Sequence, residues 1–216
     1  KSIESIWKEG FLQKNALVVP KLNNLYDKKS IHIIDKFKRM FKINLNALVV
    51  FSFVLLPVSF FVKIPVMGLL MFILFNVLVF VNKRLFKGLN KIDTNVSSYQ
   101  YLKVFNQWVK KQVSINEKIS KFLYPIIFIS MILGFWFKDA QGMPLGNRLV
   151  NEVLKAFPDI YLGYGIPLIG IVIALLITIL LGFFGGRIYK WDLNIVYGRV
   201  FRKLKELMTD IESLRS

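Results

Sequence analysis

Four runs of 16 to 19 residues, at 45–62, 64–81, 122–137 and 166–184, contain no Asp, Glu, Lys, Arg or His. A backbone inside hydrocarbon must satisfy its own hydrogen bonds, so such runs fold as helices. At about 1.5 Å per residue they cover about 24 to 28 Å, close to the thickness of a bilayer core once interfacial residues are added. The chain therefore reads as an all-α, polytopic membrane protein with four transmembrane helices in two hairpins. Basic amphipathic helices on one side complete that reading.

The composition agrees. Of the 216 residues 55% are hydrophobic and 20 are Phe, more aromatic than an ordinary soluble domain. There is no Cys, which excludes disulfides, thiol catalysis and Cys-ligated metal. Residues 1–44 do not read as a cleavable signal, because the first long apolar run starts only at Leu45 and no small-residue cleavage pattern follows it.

Orientation follows from where the cations lie. Residues 1–44 hold 10 Lys/Arg against 4 Asp/Glu, residues 82–121 hold 9 against 2, and residues 187–216 hold 7 against 4. The turn between the first two runs holds only Lys63, and residues 138–165 hold 3 against 3. Lys and Arg resist translocation, so the three rich segments and both termini are expected in the cytoplasm of a bacterial inner membrane. The net charge of +17 is then chiefly a topology signal and an attraction to anionic headgroups. Nucleic acid is not an expected partner.

Lys63-Ile64-Pro65 is so short a connection that the first two spans must be adjacent and antiparallel. Pro57 interrupts the first span, whereas Pro125 and Pro167 are expected at helix starts, where they cost little. Gly68, Gly134, Gly170 and Gly182 are candidates for close helix contact, and Gly182 with Gly186 has GxxxG spacing. That spacing is a weak signal, and Gly182, Gly185 and Gly186 are expected instead to loosen the helix where it leaves the bilayer. Among the polar residues in the spans, Asn76, Ser52 and Ser59 are the candidates for packing. Asn76 is expected to bond Ser52, Ser59 or a backbone carbonyl, the other reading being a substrate contact.

The segment 82–121 reads as a helical hairpin, turned at Asp93-Thr94-Asn95 and Ser97-Ser98. Leu85, Leu89, Ile92 and Val96 form one apolar stripe; Tyr99, Leu102, Phe105, Val109 and Val113 form another. In the tail Leu193, Tyr197, Val200, Leu204, Leu207, Ile211 and Leu214 alternate spacings of four and three, a heptad seam that needs a partner. That partner is the same chain, a second copy, or another protein. Residues 31–43 set Ile31, Ile34, Phe37, Phe41 and Ile43 against Lys36, Lys38, Arg39 and Lys42, which predicts an anchor helix lying among the headgroups. Residues 3–25 predict a short mobile helix and a linker broken at Val18-Val19-Pro20, with Trp7 a partner-binding candidate or part of a loosely docked terminus.

Across the membrane, residues 138–165 are too long for a tight turn. Asn147 is expected to cap a short amphipathic helix carrying Leu149, Val150, Val153, Leu154 and Phe157. Asp139, Glu152 and Asp159 match no metal motif, and His32 is the sole histidine. Neither a P-loop nor GxGxxG follows a strand, so no catalytic, cofactor-binding or metal residue is assigned and an enzyme is not expected.

The stretches WKEG at 7–10, IPVMG at 64–68, NKRLFKGLNKID at 82–93, SSYQYLKVFNQWVKKQVSIN at 97–116 and GFWF at 134–137 resemble those of four-span inner-membrane proteins of Bacteroidota that lack a known activity. Some of these are encoded beside extracytoplasmic-function sigma factors. The resemblance implies a membrane-tethered regulator and carries over no functional residue. The reading is thus of a non-enzymatic regulator or assembly subunit. Its partner, a cytoplasmic protein or a second copy, would be held at Trp7, Tyr99, Phe105, Trp108, Tyr197, Leu204, Leu207 and Ile211. The alternative is a small channel or transport-complex subunit with Asn76, Ser52 and Ser59 along a polar path.

Overall fold

A computed structural model describes residues 26–93 and 96–213, and the backbone alone of residues 3–25. The readings at Thr94-Asn95 and Leu214 fall outside the described residues, and that at Trp7 falls on a side chain outside them. The break expected at Val18-Val19-Pro20 is absent, because one helix runs unbroken from Ile3 to Phe61, in place of a short helix and a linker. Five helices follow in order: α1 Ile3–Phe61, α2 Pro65–Leu89, α3 Ser98–Trp136, α4 Leu145–Ala156 and α5 Leu168–Ser213. Four of them, all but α4, are long and apolar enough to cross a membrane. The protein is an all-α, multi-pass membrane protein.

The lysine-rich segments are not separate helices. Each is a direct continuation of a spanning helix: α1, α2, α3 and α5 run unbroken across the junctions near 44, 82, 121 and 187, since extending a helix costs far less than starting one. The anchor helix expected at 31–43 is accordingly absent as such. Those residues belong to α1, and Ile34, Phe37 and Phe41 turn inward with Leu45, while Ile31 and Ile43 are exposed. Pro125 lies well inside α3 rather than at a helix start. Its ring sits beside Gly182 of α5, where an added Cβ would come within 3.7 Å of it.

The hairpin of 82–121 is thus the last turns of α2 and the first of α3. The Ser97 hydroxyl accepts from the Gln100 backbone N–H at 3.4 Å and caps α3, and Ser98 donates to the Asp27 carboxylate of α1. Trp108 Nε1 donates to the Leu85 carbonyl at 3.2 Å, tying the two arms together. All three basic segments lie at one end of the bundle, hereafter the basic end.

The opposite end is built from two small hairpins. Strands β1 Asp139–Ala140 and β2 Met143–Pro144 pair antiparallel, as do β3 Leu162–Gly163 and β4 Ile166–Pro167. Each turns through two residues of positive φ, Gln141-Gly142 and Tyr164-Gly165, the backbone of a tight two-residue hairpin. A Pro then ends each second strand and pre-sets the chain for a helix. For that reason α4 begins at Leu145 and not after Asn147, and α5 at Leu168. Lys63 in the α1–α2 turn pairs with Asp139 at 2.9 Å. The hydrogen bond from Lys63, a second from the Gly142 N–H and the Lys63 charge hold the Asp139 carboxyl below the ordinary range.

Helix α3 packs most extensively on α5. The contact depends on Gly185 and Gly186, both buried, which overturns the reading of these glycines as a loosened exit. A Cβ on Gly185 would lie 2.7 Å from the Ser120 carbonyl oxygen. Gly185→Ala is therefore expected to destabilise the protein by about 1–3 kcal/mol through overpacking. Gly170→Ala, where a Cβ meets nothing within 4 Å, serves as the control that leaves the melting temperature unchanged.

Candidate functional site

The largest core of the molecule lies in the basic end, away from the apolar spans. Phe37 of α1, 1% exposed, occupies its centre. Its ring centroid stands 5.2 Å from Tyr197, 5.3 Å from Phe105, 5.7 Å from Phe41, 5.9 Å from Trp108 and 6.0 Å from Phe201. Leu89 and Leu102 are fully buried beside it. The heptad seam of the tail supplies α5's share, with Tyr197, Val200, Leu204, Leu207 and Ile211 all buried. The Tyr197 hydroxyl accepts from Asn44 Nδ2 at 2.9 Å. Burial raises the Tyr197 hydroxyl's pKa more than that bond lowers it.

Most of the residues expected to hold a partner are therefore brought together, but by their own chain. Phe105, Tyr197, Leu204, Leu207 and Ile211 offer no free apolar face, because stripes on α1 and α3 already cover them. Trp108 is partly buried in the same core, and the Tyr99 hydroxyl donates to Glu212 at 3.0 Å. The seam's partner is intrachain. Two apolar stripes at the same end bury each other without the entropy cost of a second molecule.

Between this core and the spans lies a buried amide layer that motif reading missed. Asn82 Nδ2 donates to Asn116 Oδ1 at 3.0 Å, and Asn116 Nδ2 donates back to Asn82 Oδ1 at 3.0 Å. Gln112 Nε2 donates to the same Asn82 oxygen at 3.3 Å. Asn82 and Asn116 also reach the Leu78 and Gln112 carbonyls of their own helices. Tyr189 of α5 hydrogen-bonds Gln112, and burial pushes its hydroxyl well above the usual tyrosine range. Just beside the layer, Glu117 pairs with Lys190 at 2.9 Å and binds α3 to α5. The signal was present in the sequence. Leu102, Phe105, Val109, Gln112, Asn116 and Ser120 keep one spacing of three and four, so amides occupy core positions of an apolar stripe.

Within the spans, Asn76 Nδ2 donates to Ser52 Oγ at 3.1 Å and to the Phe72 carbonyl at 2.8 Å, joining α2 to α1. Ser59 is not its partner: it donates to the Leu56 carbonyl at 2.6 Å and lies against Gly68. Ser52, Ser130 and Thr178 likewise donate to carbonyls of their own helices. Among the described residues, no three His, Cys, Asp or Glu side chains come together as a metal site. No protein-family model, curated protein or solved structure matches the chain.

Proposed function

We propose that the protein is a non-enzymatic, membrane-tethered regulator or assembly subunit of the bacterial inner membrane, with its basic end and both termini in the cytoplasm. The observation that carries this reading is the continuity of α1, α2, α3 and α5 from the spans into one aromatic core, with a hydrogen-bonded amide layer at the junction. Rods built this way move as units, so a change in the packing of the spans alters the surface of the basic end. Buried amide layers can hold helices in one register at some cost in stability, which suits a part that must present a defined surface.

Two measurements test it. Cysteine accessibility mapping, convenient in a chain without native Cys, is expected to label Lys103→Cys and Arg202→Cys from the cytoplasm alone. Cross-linking of the full-length protein in its native membranes is expected to join the basic end to one defined cytoplasmic protein. Labelling from outside, or no protein cross-link at any basic-end position, overturns the proposal. The in-helix hydrogen bonds of the spans argue against a polar path. Asn76→Leu is expected to cost at most about 2 kcal/mol, and vesicles holding the protein are expected to show no ion flux. A flux abolished by Asn76→Leu would return the assignment to a small channel.

A further inference from the structure

Where α3 and α5 leave their apolar runs toward the basic end, two cations stand together on the outside of the bundle. The Arg187 guanidinium lies 5.4 Å from the Phe184 ring centroid and 5.8 Å from that of Phe183. The Lys121 stem crosses Gly186, the residue before Arg187, where an added Cβ would come within 3.4 Å of Lys121 Cε. Both cations are exposed, and among the described residues no ion pair takes up either. Phe183, 69% exposed, and Trp191, 70% exposed, belong to no core and share this side of α5 with Arg187 at spacings of four.

We propose that Arg187 and Lys121 hold the phosphate of an anionic phospholipid, with its acyl chains along Phe183 and Phe184 and Trp191 beside its head. The depth fits. Lys121 directly precedes the apolar run that starts at Phe122, and Arg187 follows Phe184 by three residues. At about 1.5 Å per residue both lie within a headgroup layer of about 5–8 Å. Helix side chains tilt toward the N-terminus, which on α5 points back to the bilayer, so Trp191 reaches toward the headgroups although its Cα lies a turn beyond Arg187. Stacking on the two rings fixes the guanidinium while its N–H edge stays free to donate to phosphate oxygens.

The nearby acids do not cancel this charge. Glu117, also beside Gly186, is already paired with Lys190 at 2.9 Å, which leaves Arg187 and Lys121 as two uncompensated cations. Asp192, the first acid on α5, lies five residues beyond Arg187 and about 140° around the helix. A zwitterionic lipid fits less well, because its own ammonium would meet these two cations. A soluble protein does not reach Phe183, which lies within the apolar run, and a second copy would bring like charges together. The site stands whether or not the basic end has a protein partner.

The test uses the full-length protein in phosphatidylcholine nanodiscs with a minor share of phosphatidylglycerol brominated near the head of its acyl chains. Trp191 emission, isolated as the difference between wild type and Trp191→Phe, is expected to be quenched several times more strongly than by brominated phosphatidylcholine at the same share. Arg187→Gln and Lys121→Gln are each expected to lower the apparent affinity for phosphatidylglycerol about fivefold, the effect of one basic contact at an anionic surface. Lys203→Gln, an exposed cation of α5 far beyond the headgroups, is expected to change nothing. All three positions are exposed, so melting temperature should hold. Native mass spectrometry gives a second readout: wild type is expected to retain phosphatidylglycerol that the Arg187→Gln/Lys121→Gln protein loses. Equal quenching by the two lipids, or a loss in Lys203→Gln as large as in Arg187→Gln, overturns the proposal in favour of a diffuse surface charge. Displacement of the lipid by millimolar inorganic phosphate or glycerol phosphate overturns it too, since the ligand would then be a free phosphate. So does equal retention of the lipid by wild type and the double variant.

Discussion

Asn82→Leu lowers the unfolding free energy by about 2–5 kcal/mol. Asn82 supplies the donor to Asn116 Oδ1 and the acceptor shared by Asn116 and Gln112. Leucine removes both, stranding polar atoms that cost about 1–3 kcal/mol each when buried without a partner. Asn116→Leu has a similar effect, and the pair is far from additive, because each change destroys the same bonds. Replacing Asn82, Gln112 and Asn116 together by leucine should recover most of the loss, since an apolar layer leaves few groups unpaired. What the triple variant loses is register, read as faster amide exchange along α3 below Ser120. Denaturation in mixed micelles checks the energies. An Asn82→Leu protein as stable as the wild type would show that the layer does not hold the helices together.

Phe37→Ala is the second large effect, expected to cost about 3–5 kcal/mol, the usual range for an aromatic removed from a packed core. That is a large part of the total stability of a typical domain. Five aromatic rings stand within 6.0 Å of Phe37, and none can fill the space without leaving its own contacts. Trp108 reports the change, because loss of its 5.9 Å neighbour alters the polarity around the indole and hence its emission. Phe61→Ala is the contrast: at 88% exposed in the bundle it faces lipid and should leave the core's melting unaffected. If Phe37 were instead a headgroup anchor, its loss would weaken membrane attachment of α1 and leave α5 protected from exchange. The predicted signature is the opposite, with α5 residues near Tyr197 losing protection.

Much of the architecture was legible in the residues. The spans could be read because a bilayer penalises every charge, so 16 to 19 uncharged residues are a strong signal whatever their neighbours do. The tail seam was legible in its spacing, and Tyr197, Val200, Leu204, Leu207 and Ile211 are buried as that spacing required. Residues 31–43 misled because a basic amphipathic helix looks the same whether its apolar face meets acyl chains or aromatic rings. The inward set Ile34, Phe37, Phe41 and Leu45 differs from the expected stripe only at its ends. Gly185 misled for a related reason, since glycine both weakens a helix and lets another approach it.

The candidate site was less legible. Gln112 and Asn116 continue the stripe of Leu102, Phe105 and Val109, yet polar residues normally mark the end of an apolar face. Only their pairing with Asn82, some thirty residues earlier in the chain, makes them core residues.

Hydropathy and charge alone, then, determined that this chain enters a membrane, how many times, and which segments share an end. Those properties are sums over local residues against a uniform solvent. Which faces pair, that the tail folds back on its own chain, and where the amides close on one another depended on three-dimensional packing. Such choices compare alternative partners of similar apolarity, and geometry decides among them.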